Sequence, residues 1–307
     1  MTKLISPNPR VAIALMLTAT AFIAATTLLA KAIGNGSLGA PLHPMQVSHG
    51  RFLFAFLAIG AMAALRRPSF GRPALGLHLG RTSLGWAGVT LMFAAAAQMP
   101  LADATAISFL NPVFAMVLAI FFLGERVGRV RWTAAAIALV GAVILLRPTP
   151  AAFQPAALLA LAAAVMLGAE VIFIKRLSGR EPPFQILLVN NAIGLVIASI
   201  AVLWVWTPPT ATQWVALMGI GGIMAAAQAC FVNAMARAEA SFIVPFSYAT
   251  LIFSALYDGA VFARWPDAVS VVGASVILSG AGLLAWREAR LNSSSPPPYP
   301  GSIPPKP

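Results

Sequence analysis

The chain has 307 residues, of which 60% are hydrophobic and only 9% charged, with a mean hydropathy of +0.87. A soluble domain carries about 25% charged residues, so this chain cannot clothe a water-facing surface. Its composition is that of an all-α polytopic membrane protein, and the ~10-residue alternating segments of a transmembrane barrel are absent.

The net charge of +12 is spread over loops instead of one domain face, which argues against a nucleic-acid partner. The expected partners are the lipid bilayer and a small-molecule substrate, with the chain acting as a monomer or homodimer. A lone Cys230 excludes an intrachain disulfide.

Apolar runs of about twenty residues match the ~30 Å hydrocarbon core. Ten are predicted, at about 11–33, 46–65, 82–99, 102–123, 132–147, 155–174, 185–206, 213–235, 240–262 and 268–286. Span one follows Lys3 and Arg10 but is too long for the apolar part of a signal peptide. With the N-terminus inside, the cytoplasmic segments hold Lys3 and Arg10; Arg66, Arg67, Arg72 and Arg81; Arg126, Arg129 and Arg131; Lys175, Arg176 and Arg180; Arg237; and Arg287, Arg290 and Lys306. The outer ends hold Lys31, Arg147 and Arg264. This asymmetry predicts an even number of spans with both termini cytoplasmic, in a bacterial inner membrane. Residues 1–10 then form a cytoplasmic N-terminus. The Ser/Pro-rich tail 292–307 is predicted to be disordered, since it has too little apolar surface to offset ordering entropy.

Span four, within Leu101–Arg126, has a weaker echo in Arg237–Asp267. Ala102-Asp103-Ala104-Thr105 matches Ala238-Glu239-Ala240-Ser241, and a proline follows in both. Lys31 and Lys175 close spans one and six, while Gly141-Ala142 and Gly280-Ala281 mark spans five and ten. Five spans per half is odd, so the second copy enters from the opposite face. The predicted architecture is two inverted five-helix repeats, 11–147 and 155–288, a hallmark of alternating-access transporters.

The Pro112 kink, the closing Leu123-Gly124-Glu125-Arg126 and the spacing of Trp132 and Gly141 resemble the EamA-type domain of the drug/metabolite transporter superfamily. Tyr248 and Trp265-Pro266-Asp267 look like the group containing S-adenosylmethionine and riboflavin uptake carriers, although Arg264 stands about where that group usually has a glutamate. The resemblance implies secondary transport of small organic solutes through a central cavity, without ATP hydrolysis. A channel-like facilitator is the alternative, with an intramembrane enzyme further behind. There is no Walker loop or HExxH, and His43, His49 and His78 form no metal cluster pattern. No cofactor, metal or catalytic residue is expected.

Intramembrane ionisable residues are functional candidates. Arg51 lies ~9 Å below the outer interface, with His49 two residues earlier. It either binds an anionic group in the cavity or serves a structural ion pair, and Asp258 or Asp103 at similar depth is its expected partner. Glu170, ~7 Å above the inner interface, is a candidate for cation, proton or vestibule chemistry. Its depth argues against direct contact with Arg51. Asn111 and Pro112, with Pro245, Ser247 and Tyr248, place polar groups beside helix breaks and are candidates for substrate contact or gating. Gln98, Asn190, Asn191, Gln228 and Asn233 are weaker candidates whose default is helix–helix hydrogen bonding. Trp86 could stack a ligand or sit at the lipid interface. Asp103 and Glu239 read as helix-end acids that offset the helix dipole, and Glu125 with Arg126 as a cytoplasmic anchor.

Overall fold

Eleven helical segments and no strand make up the described residues. They are α1 (Pro9–Gly34), α2 (Pro44–Arg66), α3 (Leu75–Gln98), α4 (Leu101–Ser108), α5 (Asn111–Leu123), α6 (Arg129–Leu146), α7 (Pro155–Ser178), α8 (Pro183–Val202), α9 (Ala211–Met235), α10 (Ala249–Phe262) and α11 (Ala268–Ser293). This computed structural model describes residues 8–123, 129–146, 155–178, 180–235, 237, 246 and 249–293. Segments α4 and α5 lie within one span, Leu101–Phe122, so the eleven segments make ten helices along the chain. Six of these are long and apolar enough to cross a membrane. The shorter apolar helices are Trp132–Ile144, Ala249–Phe262 and Ala268–Gly280.

The break in span four sits where Pro112 predicted it. Proline has no N–H to continue an α-ladder. Just before it, Leu110 N donates to Ile107 O at 3.0 Å, and Val113 N donates back to Leu110 O at 2.9 Å. These tight three-residue turns replace the four-residue ladder and carry the chain across the gap. The N-terminal half, α4, is buried from Leu101 to Ile107. It anchors an apolar core completed by Leu110, Met116, Leu251 and Ile277.

Span three differs from expectation. The helix begins at Leu75, about two turns before residue 82. Arg81 is therefore no loop cation: it lies in the helix and is 8% exposed. Polarity at His78, Arg81 and Thr82 hid this segment, and each of those side chains finds a polar partner on α7, α8 or the turn between them. Span eight of the apolar pattern, α9, runs as expected, whereas α8 stops at Val202, leaving Trp204 and Trp206 in the turn that follows.

The helices pack in a paired pattern. Helix α1 runs along α9 and α3 along α7; α1 also meets α10, and α5 meets α7; α2 packs on α8 and α6 on α11. Small residues permit the closest approaches. A Cβ at Gly141 would lie 2.7 Å from Gly273 O, and one at Gly280 would lie 2.6 Å from Ala134 O. Glycine is thus required on both sides of the α6–α11 contact.

Contacts between helix ends define two faces. On the terminal face, Asn8 N donates to Arg237 O at 3.1 Å, and Gly71 N donates to Gln185 Oε1 at 2.9 Å. On the opposite face, Gln46 Nε2 donates to Thr207 O at 2.6 Å, and Gln213 Nε2 to Ala40 O at 2.7 Å.

Candidate functional site

Two buried arginines and a half-buried glutamate from three helices gather inside the bundle. Arg81 Nε of α3 lies 3.3 Å from Glu170 Oε1 of α7, and Arg81 Nη1 also reaches Ile186 O of α8 at 3.4 Å. Arg51 of α2 lies within electrostatic reach of both Glu170 and Arg81. Its guanidinium stands 4.5 Å over the Phe52 ring, an interaction that favours a desolvated cation. Arg51 is 6% exposed, and its Nε and Nη1 have no hydrogen-bond partner among the described residues. Two cations thus share one carboxylate. No ion pair joins Arg51 directly to Glu170 among the described residues.

The Glu170 carboxylate occupies a notch made by Gly85. A Cβ at position 85 would lie 2.9 Å from Glu170 Cδ and Oε2. Glycine there leaves the room that brings α3 and α7 together at this point. Further polar atoms face inward from neighbouring helices. Ser48 Oγ of α2, Trp86 Nε1 and Thr90 Oγ1 of α3, Asn191 Oδ1 of α8 and Gln228 Oε1 of α9 are buried and have no partner among the described residues. Unpartnered buried polar groups are uncommon in native proteins.

A second charged cluster closes the opposite face. Lys31 of α1 and Asp258 of α10 form an ion pair, at 0% and 1% exposure. Asp258 Oδ2 also accepts from Leu101 N, the first residue of α4, at 2.9 Å. A carboxylate at a helix N-terminus offsets the helix dipole. Lys31 Nζ lies 5.1 Å from the Phe262 ring centroid, and Asp103 and Arg264 act on it electrostatically. One turn deeper, Thr105 Oγ1 donates to Leu101 O at 2.7 Å and lies 3.0 Å from Ser254 Oγ.

This arrangement corrects the expected pairing of Arg51. Asp258 is taken by Lys31, and Asp103 lies on the Lys31 side; no ion pair joins Arg51 to either among the described residues. Similar depth does not make neighbours: α10 packs on α1, whereas α2 packs on α8 and α9. Lys31, read from sequence as a basic span end, is instead fully buried. Lys31, Arg81, His78 and Glu181 are the polar residues that sequence reasoning passed over. The available signal was local, since Lys31 sits three residues inside the end of α1 and Arg81 lies within a segment of helical length.

On the terminal face, Glu181 ties the α7–α8 turn to the start of α3. It accepts from Ala74 N at 2.7 Å and Gln185 Nε2 at 2.8 Å, and His78 Nε2 lies 2.9 Å away. Burial works against its charge, but these contacts outweigh it and hold its carboxyl below the usual range.

The remaining candidates separate. Asn111 is half-buried, and its carbonyl oxygen lies 2.7 Å from where a Cβ on Gly168 would sit, so the start of α5 presses against α7. Asn190 Oδ1 accepts from Thr82 Oγ1 at 3.1 Å, the interhelical role expected by default. Gln98 and Asn233 donate within their own helices, to Ala94 O and Ala229 O. His49 packs edge-on against Trp206, with centroids 6.2 Å apart. Asp103 lies in the first turn of α4. Glu125, Arg126, Glu239, Pro245, Ser247 and Tyr248 lie outside the described residues, as does the side chain of Pro112.

Comparison with known proteins follows the same lines. The model of the EamA-like transporter family matches residues 10–147 and again 154–286. A riboflavin transporter of Vibrio cholerae is 32% identical over 235 residues, covering 74% of this chain and 76% of that protein. An S-adenosylmethionine uptake transporter of Rickettsia bellii is 26% identical over 261 residues, covering 83% and 88%. A pseudopaline exporter, CntI, of Pseudomonas aeruginosa is 27% identical over 232 residues, covering 75% and 80%. A solved crystal structure superposes with a TM-score of 0.61 over 92% of this chain and 99% of that chain, at 20% identity, which bears on the fold alone. The chain therefore belongs to the EamA-like transporter family of the drug/metabolite transporter superfamily and is a multi-pass membrane protein of that family.

Proposed function

We propose that this protein is a secondary-active transporter that moves a small organic metabolite across a bacterial inner membrane by alternating access. Arg51 binds an anionic group of the substrate within a central cavity. The observation that carries this reading is the state of Arg51: a buried guanidinium whose Nε and Nη1 lack partners among the described residues, beside an Arg81–Glu170 pair that sets one described carboxylate between two cations. An arginine near mid-bilayer costs at least ~2.5 kcal/mol on insertion scales. A substrate anion supplies the missing counter-charge and recovers part of that cost. Glu170 positions Arg81 and competes with the anion for it, so binding and release redistribute one carboxylate among two guanidiniums. Trp86 Nε1 and Thr90 Oγ1, on the helix that carries Arg81, offer further hydrogen bonds.

Two inverted five-helix halves, 11–147 and 155–288, supply the alternation. The packing pattern supports this reading. Exchanging the halves turns the α1–α9 contact into α7–α3 and the α1–α10 contact into α7–α5, while α2–α8 and α6–α11 map onto themselves. A pseudo-twofold axis in the membrane plane produces such pairs. The Lys31–Asp258–Leu101 cluster joins the halves at the opposite face, and the Glu181–His78 cluster joins them at the terminal face. Opening either side requires parting that side's cluster. Both termini lie in the cytoplasm, as the distribution of basic residues predicts. The relatives' names include riboflavin, S-adenosylmethionine and pseudopaline, so the substrate panel holds these heteroatom-rich metabolites together with others that bear the carboxylate or phosphate an arginine would bind.

Proteoliposome uptake and counterflow, with and without a pH gradient, test the proposal. Counterflow of one anionic metabolite is expected, with Arg51→Gln abolishing it and Arg51→Lys retaining part. Flux at channel-like rates without counterflow, or an Arg51→Gln protein that transports normally, refutes it.

A further inference from the structure

A cavity of about 810 Å³ lies between α2, α8 and α9, and Arg51, Arg81 and Glu170 do not line it. Its walls include Ala58, Ile59, Met62, Leu187, Gly222 and Ala226, and its mouth at the terminal face is formed by Arg66, Pro68 and Pro182. Gly222 and Ala226 are exposed, and a Cβ at Gly222 would meet nothing within 4 Å. The groove therefore opens sideways from the bundle. From Gly222 to Asn233 it follows α9 for eleven residues, or ~16 Å at 1.5 Å per residue. That is the depth of one leaflet, half of the ~30 Å hydrocarbon core.

Among the described lining residues, charge lies at one end only. Arg66 is exposed at the mouth and has no carboxylate partner among the described residues. Nearby, Arg237 Nη1 is held by Asn233 O at 2.8 Å and Asn233 Oδ1 at 2.9 Å, which fixes a second guanidinium beside the groove. Arg67 closes α2 in a left-handed conformation, φ 43°, and Pro68 follows it at the mouth. An apolar trough one leaflet deep, with arginines at its water-facing end, matches a single ligand chemistry. A soluble metabolite would leave most of the trough without polar partners, whereas an acyl chain fills it.

We infer that this groove is a binding site for an anionic phospholipid, its acyl chain along Gly222 and Ala226 and its phosphate at Arg66 and Arg237. Basic residues next to a membrane attract anionic lipids, and here the cations sit at the end of a shaped apolar slot.

The full-length protein in mixed micelles, titrated with phosphatidylglycerol or phosphatidylcholine, tests this, with retained lipid counted by native mass spectrometry. One phosphatidylglycerol per chain is expected to survive in preference to phosphatidylcholine. Arg66→Gln, an exposed change that leaves the fold intact, is expected to weaken retention about fivefold, the loss of one interfacial cation. Gly222→Phe, which projects into open space, is expected to abolish it, with circular dichroism verifying the helices. Equal retention of the two lipids in wild-type protein overturns the inference, as does unchanged retention in folded Gly222→Phe. A lipid-free dimer with the groove covered by a second copy overturns it as well.

Discussion

The ion pair between Lys31 and Asp258 yields the most demanding prediction. Both side chains are essentially without solvent. Asp258→Ala leaves Lys31 buried without its ion-pair partner and strips Leu101 N of its acceptor. Breaking a buried pair from one side costs about 3–5 kcal/mol, and orphaning a buried N–H adds about 1–3 kcal/mol. Lys31→Met removes only the cation and leaves Asp258 still bonded to Leu101 N, so it is expected to cost less than Asp258→Ala. The double variant Lys31→Met/Asp258→Ala no longer buries an unpaired charge and retains only the Leu101 penalty and the altered packing. It is therefore expected to be more stable than Asp258→Ala alone by about 2–4 kcal/mol. Unfolding in mixed micelles by SDS titration, with helicity followed by circular dichroism, reads all four proteins of the cycle. If the two single-variant losses add to within about 0.5 kcal/mol of the double, the two residues do not act as a buried pair.

Two further outcomes follow from local geometry. Gly85→Ala places a methyl 2.9 Å from the Glu170 carboxyl carbon, and the flexible end of that side chain moves aside. Stability is expected to change by less than about 1 kcal/mol while transport falls, and a loss of helicity in place of a transport defect would refute the assignment. Glu181 links stability to pH. Its folded carboxyl titrates below its unfolded range of about 4.3, so its contribution is complete above that value and vanishes as pH falls through the folded pKa. Wild-type protein is expected to be the more stable above about pH 4.3, with Glu181→Gln converging on it in acid. Parallel stability curves across the acid range would exclude this linkage.

The sequence by itself determined the class of the protein, its count of ten helices and the break in span four. Each of these is local. Apolar length is read directly against bilayer thickness, and Pro112 breaks the backbone ladder whatever surrounds it. Gly141 and Gly280 were legible as marks of matching spans, whereas their close approach across α6 and α11 came from the structure. The start of span three was not, since hydropathy cannot tell a charged loop from a helix whose charges are paired on its neighbours. Tertiary structure alone decided which buried charges meet. Depth along a helix follows from counting residues, but partnership depends on which helices are adjacent and how each is rotated. Arg51 and Asp258 share a depth by residue count and face different neighbours. Asp258 instead meets Lys31 and the first turn of α4, while Arg51 joins Arg81 and Glu170. A buried charge is stabilised only by groups within a few ångströms, and lateral packing sets those distances.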